Sequence, residues 1–401
     1  MAGGGESKKA PDEAQSASRP GDAEAGFVLN EHFERFDPRW DVFNRSFWDA
    51  TVRDEKVVKF YDSYFTDKAE FRSVEGFTHR DYALRNASWY IADLFSDMFQ
   101  EGADRMEGFL DAYTMLRPAA KEKLKGVDPK DMSNDIKRAG KFLGAEMVGI
   151  AEYDERWVYT QRYSRKEGKS KPADLPADLP FVVVIANQME IDTIRTVPSA
   201  LSGAATGQGY SIDIIAVLSL TQYIRNLGYT AVASLNDTAL SIPIAIQAGM
   251  GEYGRHSLLI TPNFGPRVRI AKIFTDLPLH PDSPKDYGIK RFCAICDRCA
   301  KACPPQAIPY GPPKFAAPTI SNLKGVKKWT VHPEKCFGFW AKQGTDCSIC
   351  IRVCPYNRDY TKRSNRVWQW LAGTRLRKLA LIWHDLSRNA ERKKPSWWWR
   401  R

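Results

Sequence analysis

The pattern of apolar and polar positions alternates between helical and strand-like segments from about residue 131 onward. Residues 133–154 predict a helix followed by a buried strand, and "FVVVIANQM" at 181–189 predicts a second strand. Residues 210–234 predict a long helix that ends near Gly228 and is followed by a third strand. Two more strands are predicted at 256–262 and 267–279, on either side of a Gly–Pro turn. This order of elements is typical of an α/β or α+β fold.

Two glycine-rich stretches interrupt this pattern and are predicted to be loops that surround a ligand. They are "ATGQGYS" at 205–211, with Thr206, Gly207 and Gly209, and "GMGEYGR" at 249–255, with Gly251. The first is not a dinucleotide fingerprint, because it lacks GxGxxG and does not follow a predicted strand. No GxxxxGK[ST] sequence occurs either. We expect Thr206, Gly207, Gly209 and Gly251 to bind a cofactor, without either of these two standard nucleotide-binding motifs.

Charge is concentrated at the C-terminal end of the chain. The net charge of the 401 residues is +11, and residues 361–401 hold 12 Lys and Arg against two acidic residues. Within this tail we predict a helix with Val367, Trp370, Leu371 and Thr374 on one face. The simplest interpretation is a helix docked on the core with a solvated basic face. The alternatives are a docking patch for an acidic electron donor or contact with an anionic membrane surface. No basic stripe runs through the rest of the chain, so nucleic acid is not an expected partner.

All eight cysteines lie in two groups between residues 293 and 354. The first group, Cys293-x2-Cys296-x2-Cys299-x3-Cys303-Pro304, has the spacing of a bacterial ferredoxin. The second keeps that spacing at its end but has ten residues between its first two cysteines. Eight cysteines in two runs of this kind predict two [4Fe–4S] clusters, and the fourth cysteine of each run is expected to bind the cluster of the other run. One is expected on Cys293, Cys296, Cys299 and Cys354, and the other on Cys336, Cys347, Cys350 and Cys303. Zinc sites or disulfides explain this spacing less well.

The sequence from about residue 79 to residue 360, with a looser match in the tail, resembles the corrinoid-dependent reductive dehalogenases. The resemblance rests on residues 210–279 followed by the two cysteine groups, and on "HRDYALRNASWYIAD" at 79–93, "AEYDERWVY" at 151–159 and "KKPSWWW" near the end. It implies a nitroreductase-like core that binds base-off cobalamin, followed by a ferredoxin-like domain with two clusters. No Asp-x-His-x-x-Gly sequence surrounds any of the six histidines, which agrees with a corrinoid that has no histidine below cobalt.

This resemblance gives the expected domain boundaries. Residues 1–26 are polar and rich in small residues, and we expect them to be disordered. A helical region is expected at 27–130, the cobalamin-binding domain at 131–285, the two-cluster domain at 286–360 and the basic helix and tail at 361–401. No export signal is visible, so we expect a cytoplasmic protein, unless a signal has been removed.

The resemblance also implies roles for individual residues. Tyr210 matches the family's proton donor, and a free tyrosine, with a pKa near ~10, is a reasonable acid towards a carbanion or radical anion. Arg269 matches the cation that would stabilise its phenolate, with Lys272 as the alternative. Asn236 matches a polar residue of the same pocket. Trp340, in the gap of the second cysteine group, is expected to reach the pocket and exclude water; packing between domains is its alternative role.

The expected reaction is the reductive dehalogenation of an organohalide by Co(I) cobalamin. Electrons would pass through the two clusters, and Tyr210 would supply the proton. The sequence does not choose between cobalt–halogen and cobalt–carbon bonding. An external donor, such as a ferredoxin, a flavodoxin or a reductase, is expected because no further redox domain is visible. The alternatives are a tRNA-modifying enzyme of the epoxyqueuosine reductase type and a non-catalytic iron–sulfur electron-transfer or maturation protein.

Overall fold

A computed structural model describes residues 19–65, 67–99, 117–126, 128–165, 167–172, 175–176 and 178–401. Within these ranges the strands are β1 (Met147–Glu152), β2 (Arg162–Ser164), β3 (Lys169–Lys171), β4 (Phe181–Gln188), β5 (Ala231–Ser234), β6 (Glu252–Tyr253), β7 (Leu259–Ile260) and β8 (Val268–Thr275). The helices are α1 (Asp22–Ala25), α2 (Val42–Trp48), α3 (Glu55–Asp62), α4 (His79–Phe99), α5 (Pro129–Phe142), α6 (Ile191–Ile194), α7 (Ala200–Asn226), α8 (Ser241–Gln247), α9 (Ile289–Ile295), α10 (Arg298–Ala302), α11 (Pro333–Gln343), α12 (Ile349–Arg352), α13 (Arg363–Gly373), α14 (Arg377–Leu386) and α15 (Pro395–Trp399).

A four-stranded antiparallel sheet in the order β1-β4-β8-β5 forms the centre of the fold. Side chains alternate between its two faces, so Val183 and Ile273 pack against α7 while Val182 and Phe274 pack against α8. Helices thus cover both faces, as expected for an α+β core. The predicted strands at β1, β4, β5 and β8 are confirmed, whereas the strand predicted at 256–262 is reduced to two residues in a hairpin.

The first glycine-rich stretch is helical, contrary to the predicted loop. Residues 205–211 lie inside α7, which starts at Ala200 and runs for 27 residues. Ser199 caps its first turn by accepting a hydrogen bond from the amide of Ser202 at 3.0 Å. Small residues replace large ones here because α4 crosses close to α7. A Cβ on Gly207 would lie 2.4 Å from Cδ1 of Trp89.

The N-terminal segment is ordered where the structure describes it. The first 18 residues of the predicted disordered segment lie outside the described residues. Residues 19–26 instead include α1, whose Asp22 is buried against the guanidinium of Arg156 at 2.7 Å. Phe27 continues into the core beside Trp157, with ring centroids 5.0 Å apart. The buried ion pair and the aromatic contact fix a segment that composition alone marked as disordered.

The C-terminal tail docks through a face other than the predicted one. In α13 the buried residues are Asn365, Trp368 and Ala372, whereas Val367 and Trp370 are 51% and 64% exposed. Trp368 is the anchor because its indole N–H donates to the carbonyl of Ala380 in α14 at 2.7 Å. Leu371 is partly buried beside them. No helix in the described part of the chain is long and apolar enough to cross a bilayer.

Candidate active site

The phenol of Tyr210 lies at the centre of a cluster of polar side chains in the wall of a cavity of about 370 Å³. The tyrosine lies on α7 and is 2% exposed. Its oxygen accepts hydrogen bonds from the side-chain amide of Asn236 and, at 3.3 Å, from Arg269. The guanidinium carbon also lies 4.9 Å from the centre of the phenol ring. The three residues predicted to be catalytic are therefore brought together, although the sequence separates them by 26 and 59 positions.

Arg269 reaches Tyr210 because β8 runs beside α7 at a glycine. A Cβ on Gly209 would lie 2.7 Å from Cγ of Arg269, so the missing side chain makes room for the arginine. Both donors face the phenolic oxygen, and a group in this position would be stabilised by them if it lost its proton. Gly209 therefore contributes to the site by positioning Arg269.

Lys272 does not contact Tyr210. Its ammonium donates to the carbonyl of Leu235 and, at 2.8 Å, to the hydroxyl of Ser241. Both acceptors flank the turn that carries Asn236, and the backbone amide of Leu235 is held in addition by Asp237 at 2.8 Å. Burial lowers the pKa of Lys272 to about 8. Of the two candidate partners for the tyrosine, the geometry favours Arg269, and Lys272 fixes the loop that presents Asn236.

A buried carboxyl that the sequence reasoning missed lies behind Arg269. Asp213 is one helical turn after Tyr210 on α7 and has no exposed surface. Its Oδ1 accepts from the amide of Asn187 at 2.7 Å, and Asn187 pairs with Arg269 across β4 and β8. Burial raises the pKa of Asp213 to about 8, against the opposing effect of Asn187 and Arg269. The i, i+3 spacing from Tyr210 was the available signal for this residue.

Trp340 lines the same cavity, and the gap that contains it is a helix. α11 carries Cys336 and, one turn later, Trp340. The indole packs against Phe43 and Phe60 with ring centroids 5.6 and 6.5 Å apart. Gly344 ends the helix with φ of 77°. Helix α11 thus carries both the predicted cluster ligand Cys336 and the cavity-wall residue Trp340. Trp340 also packs between domains.

Thr206, Gly207 and Gly251 are also predicted to bind the cofactor, and in this structure they pack against other parts of the protein outside the cavity. Gly207 packs on Trp89. Thr206 is buried, with its hydroxyl 4.0 Å from the sulfur of Met189. Gly251 follows α8 at the β6–β7 hairpin, where a Cβ would lie 2.3 Å from the carbonyl oxygen of Ile260. None of the three is among the described residues that line the cavity. In this structure they pack closely against protein atoms, and their cofactor contacts stay a prediction.

The cysteines gather in the two sets that the spacing predicts. The thiol of Cys354 is close enough to Cys293, Cys299 and Cys296 for their charges to interact. The thiol of Cys350 interacts in the same way with Cys347 and Cys336, then with Cys299 of the other set and with Cys303. Burial raises the pKa of Cys350 and Cys354, and it raises the pKa of Cys336 to about 12 and that of Cys347 to about 11. Iron would supply the positive charge that buried thiolates require.

In the described ranges, the cysteines are not arranged as ligands around one metal ion. Across the described ranges, no three His, Cys, Asp or Glu side chains are placed to hold one metal ion. A four-iron cluster keeps its thiolates further apart than a single ion does, because each sulfur binds a different iron. The donor set therefore suits a cluster in each group.

Arg255 is a second functional residue that the sequence reasoning missed. It is buried and donates to the carbonyls of Cys296 at 2.7 Å and Cys293 at 2.8 Å. It also donates to the carbonyls of Pro309 and Gly311. Its charge favours the thiolate forms of the nearby cysteines. The position at the end of the second glycine-rich stretch gave no signal of this role.

Comparison with known proteins agrees with this architecture. Residues 158–279 match the family model described as reductive dehalogenase subunit, and residues 292–357 match that of a 4Fe-4S double cluster binding domain. The tetrachloroethene reductive dehalogenase of Desulfitobacterium hafniense is 39% identical over 268 residues, which are 57% of this chain and 48% of that protein. The enzyme of the same name from Sulfurospirillum multivorans is 34% identical over 262 residues, covering 58% and 51%.

The solved structure of the catabolic reductive dehalogenase NpRdhA shares the fold. It superposes with a TM-score of 0.68 at 24% identity, over 91% of this chain and 48% of that one. The chain spans about half the length of the curated relatives it matches. Along this chain, a segment similar to the reductive dehalogenase subunit is thus followed by a segment similar to a 4Fe-4S double cluster binding domain.

Proposed function

We propose that this protein replaces the halogen of an organohalide with hydrogen. The reaction consumes two electrons and one proton, breaks the carbon–halogen bond, forms a carbon–hydrogen bond and releases halide. The observation that carries the proposal is Tyr210, held by Asn236 and Arg269 at the wall of a cavity that Trp340 also lines. Trp340 shares α11 with the cluster ligand Cys336, so the redox domain and the proton donor meet at one cavity.

The cavity suits a corrinoid as the group that reduces the substrate. Its wall combines hydroxyl, amide and aromatic groups and includes Tyr253 and Lys328, which also line a second cavity of about 330 Å³. Because they share Tyr253 and Lys328, the two spaces are adjacent and would hold the ring and the nucleotide tail of a corrinoid side by side. No histidine is among the described lining residues, in keeping with the expected base-off form. One solved reductive dehalogenase of this fold is described as acting in B12-dependent dehalogenation. When bound, the reduced corrinoid would supply the electrons that cleave the carbon–halogen bond.

The protein's own residues handle the proton and the surroundings. Tyr210 donates its phenolic proton to the carbon that loses the halogen. Arg269 and Asn236 stabilise the phenolate that remains, and they are already in place before the transfer. Trp340, backed by Phe43, closes the apolar side of the cavity and keeps water away from the reducing centre.

Electrons would enter at the cluster further from the cavity. The set with Cys336 is the nearer one, because that cysteine is one turn from Trp340. The contact between Cys299 and Cys350 joins the two sets. The set with Cys293 is covered by Trp368 and Ala380 of the tail helices, and Arg298 of α10 binds Asp385 of α14 at 2.8 Å. The entry point therefore lies under α13 and α14.

An acidic electron-transfer protein is the partner that this surface fits best. α14 exposes Leu379, Ile382 and Leu386, and the surrounding tail carries a local charge of +10. Apolar contacts ringed by lysine and arginine suit a small donor with carboxylates around its redox group. Contact of the same surface with an anionic membrane is the alternative outcome of the test given in the Discussion.

Halide release tests the proposed function directly. Protein reconstituted without oxygen with iron, sulfide and cobalamin is supplied with reduced viologen and a panel of haloalkenes and halophenols. We expect chloride or bromide to appear together with the dehalogenated product. Corrinoid-loaded protein with both clusters that releases no halide, but reduces epoxyqueuosine in a tRNA stem-loop, would replace the proposal with the tRNA-modifying alternative.

A further inference from the structure

Lys328 is a cation in the wall of the proposed corrinoid cavity. Its backbone is fixed, because it exchanges two hydrogen bonds of 3.1 Å with Lys314. The next residue, Trp329, is anchored through its indole to the carbonyl of Gly311 at 2.9 Å and through its own carbonyl to Ser257 at 2.6 Å. The direction of the Lys328 side chain is therefore set by the fold.

The ammonium of Lys328 has an aromatic neighbour but no acidic one. It lies 5.4 Å from the ring centre of Tyr253, and the two residues line both cavities. Among the described residues, no carboxylate comes within ion-pair distance of its nitrogen. Burial lowers its pKa to about 8, with no charged neighbour opposing the shift. A cation held in this way is stabilised by an anion that enters the cavity.

Two acids of the second cavity are held by other groups. Glu252 accepts from the backbone amides of Tyr287, Ile289 and Lys290, and Asp286 forms an ion pair with Arg291. The third acid of the lining, Glu24, is exposed. Among the lysines of this lining, Lys328 is the one that also lines the cavity of Tyr210.

We propose that Lys328 binds an anionic oxygen group of the molecule that fills this cavity, and that this group is the phosphodiester of the corrinoid's nucleotide tail. This rests on the proposed function, because it assumes a corrinoid there. The amide side chains around a corrin ring are neutral, so the phosphodiester is the anion that a complete corrinoid offers. Phosphate oxygens are good acceptors for a lysine ammonium. A carboxylate or phenolate of the substrate is the other source of the same chemistry.

Binding of two corrinoids separates these sources. Cobalamin carries the phosphodiester, whereas cobinamide lacks the nucleotide tail. Dissociation constants of both are measured on cluster-loaded protein by corrin absorbance, for wild type and for K328A, K328R and K324A. Lys324 is an exposed lysine nearby in the chain that lines neither cavity, and it provides the matched control. We expect K328A to weaken cobalamin binding about 10- to 100-fold and cobinamide binding less than about 3-fold. K328R should retain part of the cobalamin affinity, and K324A should match wild type.

Each other outcome overturns the assignment. Equal weakening of both corrinoids in K328A would show a general packing effect. Unchanged corrinoid binding, with a raised KM for halobenzoates but not for haloalkenes, would assign the anion site to the substrate. Wild-type protein that binds neither corrinoid would remove the corrinoid and with it the proposed function, whereas the first two outcomes leave that function standing.

Discussion

Arg269 is the residue whose charge most directly supports the phenolate of Tyr210. Its guanidinium contacts both the hydroxyl and the ring of the tyrosine. We predict that Arg269→Leu lowers kcat for halide release by about 10²- to 10³-fold, because a preorganised donor to the developing charge is lost. KM should change much less, since the interaction strengthens when the proton leaves. Arg269→Lys should recover part of the rate. An unchanged kcat at equal corrinoid and iron content would contradict this role.

Asp213 should make the stability of the folded protein depend on pH. Its pKa of about 8 lies well above the ordinary value of 3.8. Its protonated form is thus favoured by folding, so the contribution of Asp213 to the free energy of unfolding is highest below pH 4 and falls as the pH rises towards 8. Asp213→Asn removes this titration. We predict that the free energy of unfolding of the variant relative to wild type, measured by denaturant titration, rises from pH 5 to pH 8 by up to about 1.4 kcal/mol per pH unit. Parallel curves would show that Asp213 stays ionised beside Arg269.

The choice between Arg269 and Lys272 illustrates what the sequence could and could not provide. Residues three apart on a strand point to opposite faces of the sheet, so one of the two could face α7 and the other could not. The sequence contains this alternation but not the position of α7 across the sheet. Family resemblance supplied Tyr210, Asn236 and Arg269 together; the role of Lys272 at the Asn236 turn required the structure.

At the scale of elements, the contact between α4 and α7 explains the glycines that sequence reasoning placed in a loop. We predict that Gly207→Ala destabilises the protein by about 1–3 kcal/mol, because its methyl group would overlap Trp89. Gly338→Ala, inside α11 where a Cβ meets open space, is the matched control. It should be neutral or stabilising by up to about 1 kcal/mol. Thermal melts of the two variants decide this. Equal stability, with lost corrinoid binding only in Gly207→Ala, would show that Gly207 acts in corrinoid binding and not in packing.

Strands were easier to predict than the glycine-rich helix. Strands β4 and β8 consist of apolar, largely β-branched residues bounded by polar turns, and these residues favour pleated structure by themselves. The stretch 205–211 has no such preference, since glycine and threonine are weak helix formers. It becomes helical because α4 and the sheet bury it from both sides. Tertiary packing of that kind is not encoded in a short window of sequence.

Arg255 connects the core to the cluster bound by Cys293 and Cys296. Reduction of a cluster adds negative charge, and a buried cation stabilises the reduced form. We predict that Arg255→Gln shifts the reduction potential of this cluster by tens of millivolts to more negative values, where about 59 mV corresponds to a tenfold change for one electron. Arg255→Lys should show a smaller shift. A potentiometric titration followed by EPR measures both, and an unchanged potential would limit Arg255 to structural hydrogen bonding.

At the scale of the whole molecule, segments from both ends of the chain pack on the core. Asp22 binds Arg156 near the start, while the indole of Trp399 donates to Asp81 of α4 at 2.8 Å near the end. The conspicuous aromatic cluster "WWW" and the segment that begins at residue 79 are thus in contact. Sequence resemblance marked both segments, but only the fold shows that one covers the other.

The exposed surface of the tail helices leads to a prediction about how an electron donor binds. If α14 binds an acidic donor, reduction of the clusters by such a donor should slow as salt is raised, because screening weakens the attraction. The double variant Arg375→Glu/Lys378→Glu should slow it further, whereas Lys130→Glu on α5 should not. Stopped-flow reduction at several ionic strengths measures this. Equal rates for all variants, with tail-dependent binding to anionic vesicles, would assign the surface to a membrane.

The most direct test of the central claim is the rate of halide release by Tyr210→Phe. The variant keeps the ring that packs on Trp89 but loses the hydroxyl that Asn236 and Arg269 contact. Wild type and variant are matched for cobalamin and iron and assayed with the same organohalide and reduced viologen. We predict a fall of about 10²- to 10⁴-fold in kcat. Halide release at the wild-type rate would show that the proton comes from another group, and it would contradict the account of this site.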